Sequence, residues 1–126
     1  MGLEAVKAVF DTNILIDFLN GVQQAAIELD RYRDPLISRI TWIEVLAGAR
    51  AADEEREIRD LLRLFTVQEL DARVAEEALT VRRDYWLRLP DAIILATARA
   101  LGCILVTRNT RDFDPTWPEI REPYRL

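Results

Sequence analysis

The chain has 126 residues, half of them apolar, with 22 acidic side chains against 17 basic ones, one cysteine and no histidine. That length suits a single domain spanning residues 1–126, able to bury about two thirds of the surface its unfolded chain exposes. The missing histidine excludes Ser-His-Asp and Cys-His triads, histidine general-base nucleases, zinc fingers and HExxH metalloproteases, so any catalysis must run on carboxylates, hydroxyls, amides or arginine.

In chain order, Met1-Gly2-Leu3-Glu4-Ala5 lacks the basic and apolar regions of a secretory leader, and position 6 carries no Ser or Thr for myristoylation, so the expectation is a cytoplasmic protein. Lys7-Ala8-Val9-Phe10 reads as a strand, stopped by the helix-capping types Asp11-Thr12-Asn13 before the apolar run of a first helix. Asn20-Gly21 ends that helix. Val22, Ala25, Ala26, Leu29 and Tyr32 recur at helical spacing, with Gln24, Glu28 and Arg31 expected outside. Pro35–Ser38 reads as a second strand, Thr41–Ala51 as a helix, and Ile58, Leu61, Leu62 and Phe65 mark an amphipathic helix with a charged outer face. Phe65–Gln68 is a third strand, followed by a helix with Val74, Ala78 and Val81 inward. Pro90 suits the first turn of a helix running from about Asp91 to Leu101. That helix is apolar nearly all round, which predicts cover on more than one side, by the sheet and by another subunit. Gly102 stops it, Cys103–Val106 reads as a buried strand, and Thr107–Asp114 as a polar loop beyond it. A lone Cys103 allows no internal disulfide, and the longest apolar runs fall short of the ~20 residues a membrane span requires.

Strands alternating with helices predict an α/β fold, a parallel sheet of four or five strands sandwiched between helices, with ligands at the carboxyl ends of the strands. Asp11 and Asp112 fall at that edge, each just after a strand. Asp91 falls in the first turn of a buried helix, where the dipole favours a carboxylate but burial without a partner is costly. Glu44 interrupts the apolar run Ile40–Leu46, and a buried glutamate requires a cationic partner. Each acid has an ordinary reading as well: a helix cap for Asp11, a dipole partner for Asp91, a surface pair with Arg39 or Arg50 for Glu44, and a turn former for Asp112. Convergence explains all four placements together. Carboxylates that converge repel one another, and a hard divalent cation held through oxygen ligands and retained waters relieves that repulsion.

Four blocks carry a resemblance. Phe10-Asp11-Thr12-Asn13-Ile14-Leu15-Ile16-Asp17, Ile40-Thr41-Trp42-Ile43-Glu44-Val45, Leu89-Pro90-Asp91-Ala92-Ile93-Ile94-Leu95-Ala96-Thr97-Ala98 and Leu105-Val106-Thr107-Arg108-Asn109-Thr110-Arg111-Asp112-Phe113 resemble, in order, the signature blocks of PIN-domain ribonucleases. They are most similar to those of the VapC toxins of bacterial and archaeal toxin–antitoxin pairs. The resemblance implies a PIN-like fold and a metal-dependent endoribonuclease that hydrolyses RNA by activated water. It implies that Asp11, Glu44, Asp91 and Asp112 hold Mg²⁺ or Mn²⁺, with the fourth position open between Asp112 and Asn109. Thr12, Asn13 and Thr107 match the family's small polar residues around the site. A cognate antitoxin and a homodimer are the implied partners, beside the RNA substrate.

Arg88, Arg108 and Arg111 flank the acidic blocks and are candidate phosphate contacts. Trp42, Trp86 and Tyr85 offer rings for stacking, but none is assigned as a base reader, Trp42 being placed in helix packing. The net charge of −5 speaks against a generic polyanion surface, yet without the four site acids the rest of the chain is one charge from neutral. A receiver-type phosphoacceptor would use a late lysine, and Lys7 is the only one; a haloacid-dehalogenase-like phosphatase would carry Asp where Asn13 stands; four scattered glycines make no P-loop. The rival from another class is a catalytically idle member that only binds RNA or a partner.

Overall fold

The structure is a computed structural model and describes residues 6–126. The reading of Met1–Ala5 as free of a leader or lipidation signal lies outside the described residues. Strands β1 (Lys7–Phe10), β2 (Asp34–Ser38), β3 (Thr66–Gln68), β4 (Ile104–Val106) and β5 (Ile120–Arg121) are joined by helices α1 (Thr12–Leu19), α2 (Gln23–Leu29), α3 (Arg39–Ala47), α4 (Ala52–Leu62), α5 (Ala72–Tyr85) and α6 (Leu89–Leu101). The five strands form one parallel sheet in the order β3-β2-β1-β4-β5. The expected parallel architecture is therefore present, with β5, a two-residue strand, as its fifth member.

Alternation along the strands divides the core between the two faces of the sheet. Ala8, Phe10, Ile37 and Val106 pack with Ile14, Leu15 and Ala25 of α1 and α2, Val45 of α3, and Ile58, Leu61 and Leu62 of α4. Val9, Leu36 and Leu105 point the other way, into Val81 of α5 and Ala92, Ile94, Leu95 and Ala98 of α6. α6 is buried from Ala92 to Ala98. Its side away from the sheet is covered by α5, through Ile93 and Ala96 against Val74 and Ala78, so this chain supplies the second cover expected from another subunit.

Strands β2, β3 and β4 begin one residue away from the sequence reading, and α3 differs at both ends. α3 begins at Arg39, because Ser38 caps it by accepting from the Ile40 N–H, and it stops at Ala47 with Gly48 as its C-cap. Of the last strand's run, Ile104 is half-buried and only Leu105 and Val106 are fully enclosed. Two helices end on a left-handed residue: α6 on Gly102, where glycine carries no steric cost, and α5 on Trp86 (φ 58°).

β1 connects to β2 on one side and lies against β4 on the other, so the direction of winding reverses between β1 and β4. The carboxyl edge at such a reversal is where an open α/β sheet leaves a crevice. Among the described residues no helix is long and apolar enough to cross a membrane.

Candidate metal centre

Phe10 and Val106 are paired across β1 and β4, so the residues that follow them emerge side by side. Asp11 N–H donates to the Val106 carbonyl (2.9 Å), which fixes the backbone from which the Asp11 side chain projects. Asp11 is the N-cap of α1, as its ordinary reading anticipated, and Oδ1 accepts from the Thr12 N–H at 2.8 Å. Oδ2 accepts from the Thr107 hydroxyl at 2.8 Å and from the Asn13 amide at 3.1 Å. These donors are neutral. With Asp11 only 4 % exposed, burial pushes its pKa up to about 6; the Thr107 and Thr12 hydrogen bonds pull it down, and the charges of Asp91 and Glu44 push it up further.

Thr107 and Asn13 form a bracket across the two strands. The Thr107 hydroxyl accepts from the Asn13 amide (3.3 Å) and from the Asn109 N–H (2.9 Å), and the Asn13 carbonyl oxygen accepts from the Arg108 N–H (3.1 Å). Asn109 then orients Asp112: its amide donates to Asp112 Oδ2 (3.0 Å), and its carbonyl oxygen accepts from the Asp112 N–H (3.2 Å). Phe113, fully buried, anchors the end of this loop.

Asp91 enters from the first turn of α6. Its Oδ2 is buried with no hydrogen-bond partner, and the nearest cation, the Arg88 Nε, stands off at 3.6 Å. Arg88 also lies 3.7 Å from Asp112 Oδ2, so one guanidinium faces both carboxylates. The Asp91 pKa is raised, by burial first and then by the charge of Asp112; Arg88 opposes this, while Glu44 adds to it.

Glu44 departs from expectation. It is exposed, because α3 turns Thr41 and Val45 inward and leaves Ile43 and Glu44 outside. Its partner is neither Arg39, which binds Glu69, nor Arg50; Glu44 Oε1 accepts from the Thr12 hydroxyl at 2.6 Å. That bond brings Glu44 to the Asp11 side of the crevice. Thr41, which the sequence reading did not single out, lies beside the same contact, its hydroxyl 3.2 Å from that of Thr12. Its spacing of three residues before Glu44 on one helix was the available signal.

The three arginines separate. Arg88 faces the carboxylates, Arg111 is exposed, and Arg108 is committed elsewhere, its Nη2 donating at 2.9 Å to Asp17, which also accepts from the Tyr124 hydroxyl at 2.8 Å. Trp42 is partly buried against the core between the guanidinium groups of Arg39 and Arg59, 4.8 and 5.5 Å from its ring, which accords with a packing role.

Two buried acids carry no counterpart in the sequence reading. Asp17 was passed over, and Glu28, expected outside, is 4 % exposed: Arg121 Nε donates to its Oε2 at 2.6 Å, Arg121 Nη2 to its Oε1 at 2.9 Å, and the Tyr32 hydroxyl to Oε2 at 2.8 Å. Burial works to raise the Glu28 pKa, but these donors and the Arg121 charge outweigh it and hold the group below its ordinary value. The same environment pushes the Tyr32 hydroxyl up to about 12.

Asp91 thus lies within electrostatic reach of Asp11, Glu44 and Asp112 at the carboxyl edge of a doubly wound sheet. The family model of the PIN domain matches residues 8–116, and the chain belongs to that family. It is 42 % identical to a chain of a toxin–antitoxin complex from Klebsiella pneumoniae, with a TM-score of 0.87 over 94 % of this chain and 99 % of that one. VapBC2 from Rickettsia felis, bound to a fragment of promoter DNA, shares the fold at 18 % identity and TM-score 0.77, with 94 % and 99 % covered. FitAcB from Neisseria gonorrhoeae does so at 22 % and 0.78, with the same coverage. The family match and the 42 % identity to a chain of a toxin–antitoxin complex bear out the resemblance drawn from the four sequence blocks. No curated protein sequence matched the chain significantly.

Proposed function

We propose that this protein is the toxin of a toxin–antitoxin pair and an endoribonuclease that hydrolyses RNA phosphodiester bonds with Mg²⁺ or Mn²⁺. The observation that carries the reading is how little of the crevice's negative charge is neutralised by contact: Asp11 is enclosed with neutral donors only, and Asp91 Oδ2 is buried without a hydrogen bond, Arg88 standing off at 3.6 Å. Both are oxygen donors, which suit a hard divalent cation. Among the described residues no three acidic or thiol side chains are gathered tightly enough to enclose an ion by themselves.

Asp11 and Asp91 would hold the metal, with Glu44 and Asp112 completing the acidic rim. When bound, the metal supplies charge stabilisation at the phosphate and a more acidic water. The protein's own groups do the positioning. Thr107 and Asn13 hold Asp11 in one orientation, Thr12 draws Glu44 toward the crevice, and Asn109 holds Asp112, a division of roles that favours Asp112 as the fourth acid with Asn109 as its support. Arg88 stands where an incoming phosphate needs a cation and can leave the carboxylates when one arrives. Arg111 is the other exposed candidate; Arg108 serves the fold through Asp17.

The 42 % identity to a chain of a toxin–antitoxin complex supports an antitoxin as partner; the cytoplasmic setting and the homodimer are proposed from the family resemblance alone. The reading is tested by incubating the purified, antitoxin-free protein with total RNA in Mg²⁺, Mn²⁺ or EDTA. Cleavage that requires the metal is expected; cleavage indifferent to chelation removes the mechanism. Growth arrest on expression, relieved by co-expression of the neighbouring gene, tests the toxin assignment. A protein that binds RNA in both conditions and cuts it in neither is the idle member instead.

A further inference from the structure

Trp86 is 82 % exposed, more than any other large apolar side chain among the described residues. It is also the one non-glycine residue among them with positive φ (58°), at the left-handed C-cap of α5. The equivalent position of α6 is Gly102, so a costless alternative exists in the same chain, and the strain at Trp86 holds a bulky ring out in water. Packing does not explain this. Leu87, next in sequence, is buried in the core against α6 and pins the connection, so Trp86 and Arg88 on either side both face outward from a fixed backbone. Tyr85, by contrast, is occupied: its ring packs against Trp117 and its hydroxyl accepts from Arg99.

The neighbourhood indicates what the ring meets. Trp86 lies within about 7 Å of chain from Arg88, whose guanidinium faces Asp91 and Asp112. Arg82 and Arg83 in the last turn of α5 are exposed as well, against the single acid Asp84 in this stretch. An exposed aromatic ring set among arginines beside a phosphate-handling crevice is the arrangement that binds unpaired nucleic acid, since any base has a face to stack.

We propose that Trp86 is the positioning residue of this chain, on which an unpaired RNA base stacks while a nearby phosphate reaches the carboxylates. The proposal rests on the nuclease reading above. Base-paired RNA offers no free face at this point and gains nothing from the ring.

The test uses a fluorescein-labelled, unstructured 12-nucleotide RNA and the same strand in a duplex, both in EDTA so that binding is read without cleavage. Trp86→Gly, which relieves the strained φ, is expected to lose single-strand affinity by on the order of tenfold while its unfolding midpoint rises. Trp86→Phe keeps single-strand affinity within a few-fold. Duplex binding and Mn²⁺ affinity stay at wild-type values in both variants. In Mn²⁺, the Gly variant shows its loss in KM rather than kcat. Unchanged single-strand affinity in Trp86→Gly, an equal loss for duplex, or conversion of a dimer to a monomer by Trp86→Gly overturns the proposal, the last by making the ring a subunit contact. Wild-type cleavage of the same strand in Mn²⁺ is scored separately, so a protein that stacks RNA on Trp86 without cutting it sinks the nuclease reading and the positioning role with it, and leaves only the stacking contact.

Discussion

Two pairs of acids, all buried except the half-buried Asp91, lie around one small sheet and are treated in opposite ways. Asp17 and Glu28, 5 % and 4 % exposed, each face an arginine and a tyrosine hydroxyl: Arg108 with Tyr124, and Arg121 with Tyr32. Asp11, equally buried, meets only hydroxyl and amide donors, and Asp91 keeps an oxygen with no donor at all. The first pair is neutralised by the protein and ties α1 and α2 to the C-terminal segment. The second is answered only at a distance, by the exposed Arg88 standing 3.6 Å from Asp91. Burial alone therefore says little about a carboxylate's task; what separates these pairs is whether a cation of the chain's own is hydrogen-bonded to the carboxylate.

The comparison can be broken at four points. The largest effect is expected for Asp91→Asn: RNA cleavage in Mg²⁺ falls by about 10³-fold or more, while the unfolding midpoint holds or rises, because the variant removes a charge the fold does not satisfy. A loss of stability instead, measured by urea denaturation, would move Asp91 into the structural pair.

Next comes pH. The folded pKa of Asp11 is about 6 against an ordinary 3.8, so the folded state holds a proton that the unfolded state releases. The stability this gives is fully present below pH 3.8 and is lost as pH rises through about 6, a difference of roughly 3 kcal/mol. In EDTA, wild type should lose stability relative to Asp11→Asn across that window. Mn²⁺, which requires the ionised carboxylate, should bind more tightly over the same rise, and a flat affinity would show that Asp11 is no ligand.

Glu28→Gln is expected to cost about 2–3 kcal/mol in urea denaturation, because a partly buried Arg121 loses its counter-charge. Its metal affinity should match wild type, and a weakened one would join the two pairs into a single network. The smallest effect belongs to Arg88→Gln. Removing a largely exposed guanidinium that faces Asp91 and Asp112 should raise Mn²⁺ affinity by about two- to fivefold in calorimetry. RNA binding should weaken, and unchanged metal affinity would mean that Arg88 does not compete for those carboxylates.

How much of this could be read from the sequence depends on how far each residue's partner lies along the chain. Asp11 and Asp91 were legible because local pattern places them, one after a short apolar strand and one beside the Pro90 helix start. Glu44 was placed in the right region but wrongly buried: the run around it is apolar, yet Ile43 spends half its surface on solvent and Glu44 sits beside it outside. Glu28 was assigned to the outer face of its helix because a charge reads as solvated, whereas its spacing from Ala25 and Tyr32 puts it on the inner face. Its partner Arg121 is 93 positions away, in a strand of two residues that no pattern marks. The choice between Asp112 and Asn109 hung on a loop conformation, set by the buried Phe113 and the Thr107 hydroxyl, that spacing does not encode. The α6 cover was anticipated, but the periodicity of α5 did not reveal that it was the cover.

The bond from Thr107 to Asp11 spans 96 positions, and Val106 supplies the carbonyl that fixes the Asp11 backbone. A chain emerging from the ribosome has therefore made Asp11 and Glu44 well before, and Asp91 shortly before, it makes β4, the strand that fills the second side of β1. Until β4 slides into that slot, the Asp11 carboxylate has neither its bracket nor its neighbour Asp112, and the slot itself is an open strand edge. Translation order would thus set when the proposed chemistry can begin. A nascent or prematurely stopped chain carries most of the acids but no assembled crevice, so the proposed hydrolysis is expected only of molecules whose synthesis has passed Asp112.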